Sequence, residues 1–189
     1  KYLSYILCDT KERMPLWIKP ERKLSVKNLQ DAMRDHYEGT PLDMSKGAGA
    51  GPFNSVYRMT PLIYKHNGKE YFHERPVATQ QTGFSFIAQM NENRPAEAGG
   101  ILWFGLDDAT CNLYVPIFSC ITEIPESMSE NNGSILDFSW TSAFWVNNWV
   151  ASMVYPRYSM LYPEVKKRQG KLEQEFFSDV QDAEQHIAQ

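Results

Sequence analysis

Two adjacent carboxylates, Asp107-Asp108, close an apolar run, and a cysteine, Cys111, follows them within a short turn-like stretch. Paired acids can do acid–base work or hold a hard cation. Neighbouring side chains at a strand end point apart, however, and Asp is a common turn residue, which favours a plain turn. A cysteine nucleophile needs its thiolate stabilised by a histidine, a cation, a helix N-terminus or an α-amino group. The sequence offers no such partner to Cys111 or to Cys120, and a buried, inert cysteine is the ordinary case. His36, His66, His73 and His186 share no ligand spacing, and Cys8, Cys111 and Cys120 form no Cys-x-x-Cys pair, so neither a metal site nor a cofactor is expected. Gly47, Gly49 and Gly51 sit between a helix and a strand and lack the Gly-Lys ending of a phosphate loop; they read as a flexible connection.

Two polar runs interrupt apolar surroundings. Thr79-Gln80-Gln81-Thr82 precedes Gly83 in what reads as the longest strand, where amides and hydroxyls can bind a peptide-like substrate or satisfy one another. Asn147-Asn148 breaks an apolar helix, where an unpaired amide costs about 1–3 kcal/mol, so both asparagines need partners.

The elements that position these groups follow from periodicity. Ser25 is an N-cap, with Leu24 and Leu29 in staple positions, for a helix to Tyr37. Val56–Tyr64 and Lys69–His73 flank Asn67-Gly68, a strong hairpin signal. Val77–Met90, Ile101–Leu106 and Leu113–Cys120 are spaced for an antiparallel meander, since parallel strands need longer crossovers. Ile101-Leu-Trp-Phe-Gly-Leu106 is apolar on both faces and is expected to be covered on both. Ser142 caps a helix that ends at Pro156, apolar nearly all round and so expected in the interior. From Pro163 an amphipathic helix carries Val165, Leu172, Phe176, Val180, Ala183 and Ile187 on one stripe, weakened at Gly170. The fold class is α+β, one unit over residues 1–189.

Composition narrows the partners. Apolar residues at 42% and charged residues at 22% exclude wholesale disorder. Nineteen basic against 23 acidic residues, net −4, argue against nucleic acid or an anionic membrane as partner. The uncharged run Phe138–Pro156 approaches membrane-spanning length but carries Ser139, Thr141, Asn147 and Asn148, which favours a buried helix. Aromatic residues reach 13%, which calls for a large core or a large buried contact.

Several segments resemble one family. Pro15-Leu-Trp-Ile-Lys-Pro20, Met33-Arg-Asp-His-Tyr-Glu-Gly-Thr-Pro41, Glu74-Arg-Pro-Val-Ala-Thr-Gln-Gln-Thr-Gly-Phe-Ser-Phe86, Gly99-Gly-Ile-Leu-Trp-Phe-Gly-Leu-Asp-Asp108, Tyr114-Val-Pro116 and Phe138-Ser-Trp-Thr-Ser-Ala-Phe-Trp-Val-Asn-Asn-Trp149 are similar to the dipeptidase D-type cysteine peptidases, bacterial relatives of the secernins. The resemblance spans about Pro15 to Gly170. It implies dipeptide hydrolysis by an N-terminal cysteine nucleophile whose own α-amino group is the general base, on an αββα sandwich. The chain starts at Lys1 with no cysteine at its amino terminus, so no catalytic residue carries over. The expectation is a central or C-terminal portion of a longer dipeptidase, inactive alone. Its partners would be the remainder of the parent polypeptide and, in the whole enzyme, the dipeptide. Gln80, Gln81 and Thr82 are the candidate substrate contacts. An exposed apolar patch, and with it homo-oligomerisation, is expected where the missing part would dock. The competing readings are a self-standing aromatic-rich binding module and a self-contained hydrolase using Cys111 or Cys120. The compartment, cytoplasmic or exported, is left open.

Overall fold

The computed structural model describes residues 2–6, 9–58 and 62–187. Cys8 lies outside them. A short helix α1 (Leu3–Ile6) precedes α2 (Val26–Met33). Ser25 and Asn28 cap α2 reciprocally: the Ser25 hydroxyl accepts from the Asn28 N–H, and the Asn28 side chain accepts from the Ser25 N–H, both at 3.2 Å. The helix stops short of Tyr37 because Arg34 turns inward and Tyr37 adopts a left-handed backbone at φ 63°.

The hairpin forms where Asn67-Gly68 places it. β1 (Ile63–His66) and β2 (Lys69–Phe72) pair antiparallel, and the positive φ of Asn67 (49°) and Gly68 (73°) matches the turn twist that hairpins favour. The expected strand from Val56 is not extended over residues 56–58. Val56 is buried there, and Arg58 is pinned inside by the Met44 carbonyl, 2.8 Å from its Nη1, and by Glu74. Residues 59–61 of that expected strand lie outside the described ones.

β3 (Phe84–Met90), β4 (Gly100–Leu106) and β5 (Val115–Phe118) make the antiparallel meander, with β4 central. The fold is α+β. β3 begins later than Val77 because residues 79–82 form a turn, in which the Thr82 N–H donates to the Thr79 carbonyl at 3.0 Å. One face of this sheet is a core: Ile87, Ile101 and Trp103 pack with Tyr114, Val26 and Met33 of α2, and Phe176, Phe177 and Val180. The other face, Phe84, Phe86 and Met90 beside Leu102 and Phe104, is exposed or half-buried. β4 is therefore covered on one side rather than two, because the helices that pack on the sheet share one face.

α3 (Ala143–Val154) starts after Ser142, as the sequence implies, although the Ser142 side chain makes no capping bond. It is not sandwiched. Ala151 and Val154 join a second core with Met44, Val56, Cys111 and Tyr158, while Val146, Trp149 and Met153 face outward. A 3₁₀ turn, Tyr155–Arg157, leads straight into α4 (Tyr158–Ile187), which runs unbroken through Pro163 and Gly170. Stacked Tyr158 and Tyr162, 4.6 Å between ring centroids, brace the helix just before the proline. No helix among the described residues is long and apolar enough to cross a membrane.

Candidate functional site

The turn that follows β4 is held from three sides. Asp107 takes a left-handed φ of 65° and its N–H donates to the Gly83 carbonyl at 2.8 Å. Asp108 then organises the turn itself. Its Oδ1 accepts from the Thr110 N–H at 3.0 Å, and its carbonyl accepts from the N–H groups of Cys111 and Asn112. Side chains from the C-cap of α2 and from α4 take the carbonyls of Ala109, Thr110 and Asn112. Arg34 donates from Nε to the Ala109 carbonyl at 2.9 Å and from Nη2 to that of Asn112 at 3.1 Å; Gln169 Nε2 reaches the carbonyls of Thr110 and Asn112. Arg34 is itself paired bidentately with the buried Glu173, at 2.9 and 2.5 Å.

α3 supplies the third side. Asn147 Nδ2 donates to the Leu106 carbonyl at 3.0 Å, and Asn148 Nδ2 lies 3.4 Å from Asp107 Oδ1. The Tyr155 hydroxyl, at the end of the same helix, donates to Asp108 Oδ2 and stands 3.2 Å from the Thr110 hydroxyl. His36 Nε2 meets that hydroxyl at 3.1 Å. Burial, and then the charge of Asp108, push the Tyr155 phenol far above its ordinary value, so it remains a neutral donor.

This turn forms one wall of a cavity of about 740 Å³, a size suited to a small organic ligand. Residues 48–53 line it as well, with Gln80, Asn148 and Tyr155. The loop of Gly47, Gly49 and Gly51 is thus a built wall, with a 3₁₀ turn over Ala48–Ala50 and not a loose connection. Arg58 lies directly beneath it: a Cβ on Gly49 would come within 3.0 Å of Arg58 Nε. Of the three candidate substrate residues, Gln80 lines this cavity. Gln81 Oε1 instead accepts from Arg75 and from Thr79, and Thr82 closes the turn through its backbone.

Asp107 and Asp108 are 4% and 1% exposed, yet neither has an ion-pair partner among the described residues. Burial raises the Asp107 pKa above the ordinary carboxylate value. Cys111 lacks the surroundings a nucleophile needs. It is buried in the second core, and burial, together with the nearby Asp108 and Asp107, pushes its thiol up to about 12. Cys120 is exposed after β5, and no hydrogen bond joins either sulfur to a histidine or a cation among the described residues. No group of metal-binding side chains occurs among the described residues.

The sequence pattern of peptidase family C69 matches residues 5–171. The chain belongs to that family. Its curated relatives include the probable dipeptidase A of Streptococcus pyogenes serotype M3, 26% identical over 141 residues, and the dipeptidase A of Lactobacillus helveticus, 24% identical over 139. These alignments cover 75% and 74% of this chain but 26% and 25% of the relatives. The C69 chain therefore spans about a quarter of the length of the curated relatives it matches. No solved structure matches it.

Asp107, Asp108, Asn147 and Asn148 stood out in the sequence, but the contact of Asn148 with Asp107 and of Asn147 with the Leu106 carbonyl, each across 41 residues, did not. Arg34, Tyr155, Gln169 and Glu173 went unnoticed. A signal for the last two was present: in α4 they fall between Val165 and Phe176, at helical spacing, where the buried stripe calls for apolar side chains.

Proposed function

We propose that this chain is the substrate-binding portion of a cysteine dipeptidase, with the nucleophile supplied from outside it, and that the isolated chain does not turn over dipeptides. The observation that carries this reading is the 740 Å³ cavity, which neither Cys111 nor Cys120 lines. Cys111, next to the cavity wall in sequence, is buried and its thiol is pushed up to about 12, and no hydrogen bond joins Cys120 to a base or cation among the described residues. Membership of C69 and the dipeptidase names of the relatives supply the reaction class.

The uncovered sheet face supports the companion proposal, that the partner of this chain is the remainder of a parent polypeptide. Nearly all its side chains are apolar, and both outer strands, β3 and β5, are paired on one side only. The same bare face favours homo-oligomerisation when the chain is alone. It also gives the second reading, a self-standing interaction module, its one supporting observation.

Hydrolysis of a mixed dipeptide panel by the 189-residue chain, with and without thiol alkylation, tests the proposal. The expected result is no turnover in either arm. Turnover abolished by alkylation would return the nucleophile to Cys8, Cys111 or Cys120 and overturn it.

A further inference from the structure

The cavity wall that carries Asp108 and Tyr155 is bonded from behind by a histidine. His36 is 1% exposed, and both of its ring nitrogens have partners. Nδ1 stands 3.1 Å from Glu38 Oε1, and the His36 N–H donates to the other oxygen of the same carboxylate at 2.8 Å. Partial burial works to raise the Glu38 pKa, but the bonds from the His36 ring and backbone bring it down to about 2. An ionised carboxylate only accepts, so Nδ1 carries a hydrogen and Nε2 is the end that varies. Nε2 meets the Thr110 hydroxyl at 3.1 Å, that hydroxyl stands 3.2 Å from the Tyr155 oxygen, and Tyr155 donates to Asp108 Oδ2. The series thus runs from Glu38, exposed at the surface, to a carboxylate that lines the cavity.

We infer that His36 is a positioning residue for the cavity: through Thr110 and Tyr155, its protonation state sets how Asp108 is held. A hydroxyl has one hydrogen to give, and this fixes the direction of each link. With His36 neutral, Nε2 accepts from Thr110, and the Tyr155 hydrogen is shared between Thr110 Oγ1 and Asp108 Oδ2. With His36 protonated, Nε2 donates to Thr110, Thr110 donates to Tyr155, and Tyr155 gives its hydrogen to Asp108 alone. One proton enters at Nε2, the Thr110 hydroxyl turns, and every donor in the series then points toward the cavity carboxylate, each bond polarising the next. The other ionisable groups around the ring leave this control to it. Asp35 and Glu38 flank it on its own stretch, Arg34 is committed to Glu173, and Tyr158 of α4 meets the ring edge-on at 6.4 Å between centroids. Burial pushes the Tyr155 and Tyr158 phenols far above their ordinary values, and the Cys111 thiol, in the core with Tyr158, up to about 12, so all three stay neutral at neutral pH. The consequence for substrate rests on the reading of this cavity as the substrate site; the coupling of His36 to Asp108 does not.

The test is an NMR pH titration of the full chain from about pH 5 to about pH 9, the range in which histidine changes charge, with no ligand added. It reads the His36 ring nitrogens and the Asp108 carboxyl carbon. Nδ1 is expected to stay protonated throughout, and the Asp108 signal to shift with the same midpoint as Nε2. Thr110→Val removes the hydroxyl and keeps nearly the same shape, so His36 should still titrate while the Asp108 inflection is lost. Thr110→Ser should restore that inflection, which a merely structural role for Thr110 does not predict. Tyr155→Phe breaks the series at its next link and should give the same loss, which decides the matter if the valine variant does not fold. An Asp108 signal that does not follow His36 in the wild-type chain overturns the inference. So does one that follows it undiminished in the folded Thr110→Val or Tyr155→Phe chain, since only the through-space field of the charge would then be at work. A His36 ring that does not titrate in this range, or whose neutral form carries its hydrogen on Nε2, overturns it too. Because no peptide enters the experiment, failure of the dipeptide reading leaves these outcomes unchanged.

Discussion

The two faces of the β3–β4–β5 sheet are made of the same kinds of residue and meet opposite fates. Trp103 is 1% exposed, with Ile87 and Ile101 beside it and Phe177 packed 4.7 Å away between ring centroids. Phe104, the next residue, points to the other side and stacks on Phe84, itself 58% exposed. An antiparallel sheet with one wet face shows apolar and polar residues in alternation. This one does not alternate, so its sequence is written for cover on both sides while the chain provides cover on one. The covered face is also where the fold is most tightly specified, because Arg34 and Glu173 lie along its margin beside Tyr114.

The sharpest way to break that comparison is to truncate neighbours. Trp103→Ala should cost about 3–5 kcal/mol, the ordinary penalty for emptying a packed aromatic site. Phe104→Ala should cost about 1 kcal/mol or less, because it removes contacts that are already half in water. Urea unfolding of the two variants gives the ratio directly. Equal losses would mean that the bare face is covered in solution, by a second copy.

Arg34→Met comes next, with an expected loss of about 3–5 kcal/mol, since it leaves Glu173 as an uncompensated buried charge. It also strips donors from the carbonyls of Ala109 and Asn112. Joining Arg34→Met to Glu173→Leu should recover much of that loss, because an ion pair replaced whole by apolar groups is often close to neutral. If the double variant is no better than the single one, the pair serves mainly to hold the turn at Asp108, not to balance its own charge.

Gln30 is the irregularity within the covered side. It is fully buried on α2, between Val26 and Met33 in helical register, and neither its Oε1 nor its Nε2 has a hydrogen-bond partner. Gln30→Leu removes two unsatisfied groups from an apolar setting and should stabilise the chain by about 1–3 kcal/mol in the same urea assay. A loss on substitution would show that the amide makes a bond in solution.

How much of this was legible depended on whether the signal was local. The Ser25 cap, the Asn67-Gly68 hairpin, the three strand cores and the start of α3 are written in a few neighbouring residues, and the structure has them. The false strand before Phe84 arose because Val77 and Ala78 read as β while Thr79–Thr82 turn, which tertiary anchoring decides: the Ala78 N–H is held by the Asp35 carbonyl at 3.2 Å. The site was legible in pieces. An acid pair at a strand end and an asparagine pair in an apolar helix each announced a need, but only the fold brings Asn148 to Asp107 and Tyr155 to Asp108. The buried helix expected at Ala143–Val154 failed in the same way as the doubly covered β4. Apolar residues in a sequence do not by themselves say whether the fold of the same chain covers them.

The smallest expected effect on stability carries the most information about that cover. Phe86 and Met90, 49% and 80% exposed on the bare face, can be changed together to Phe86→Ser and Met90→Lys. Isolated surface substitutions of this kind stay within about 0.5 kcal/mol each. The change in association should be larger, because a lysine placed in an apolar contact must be desolvated without a partner. Sedimentation velocity should therefore show the wild-type chain associating with concentration and the double variant remaining monomeric, at nearly unchanged urea midpoint. A wild-type chain that is monomeric at every concentration would show that the bare face does not recognise itself. A large loss of stability in the variant would instead place these residues in a core, and the two faces of the sheet would no longer differ.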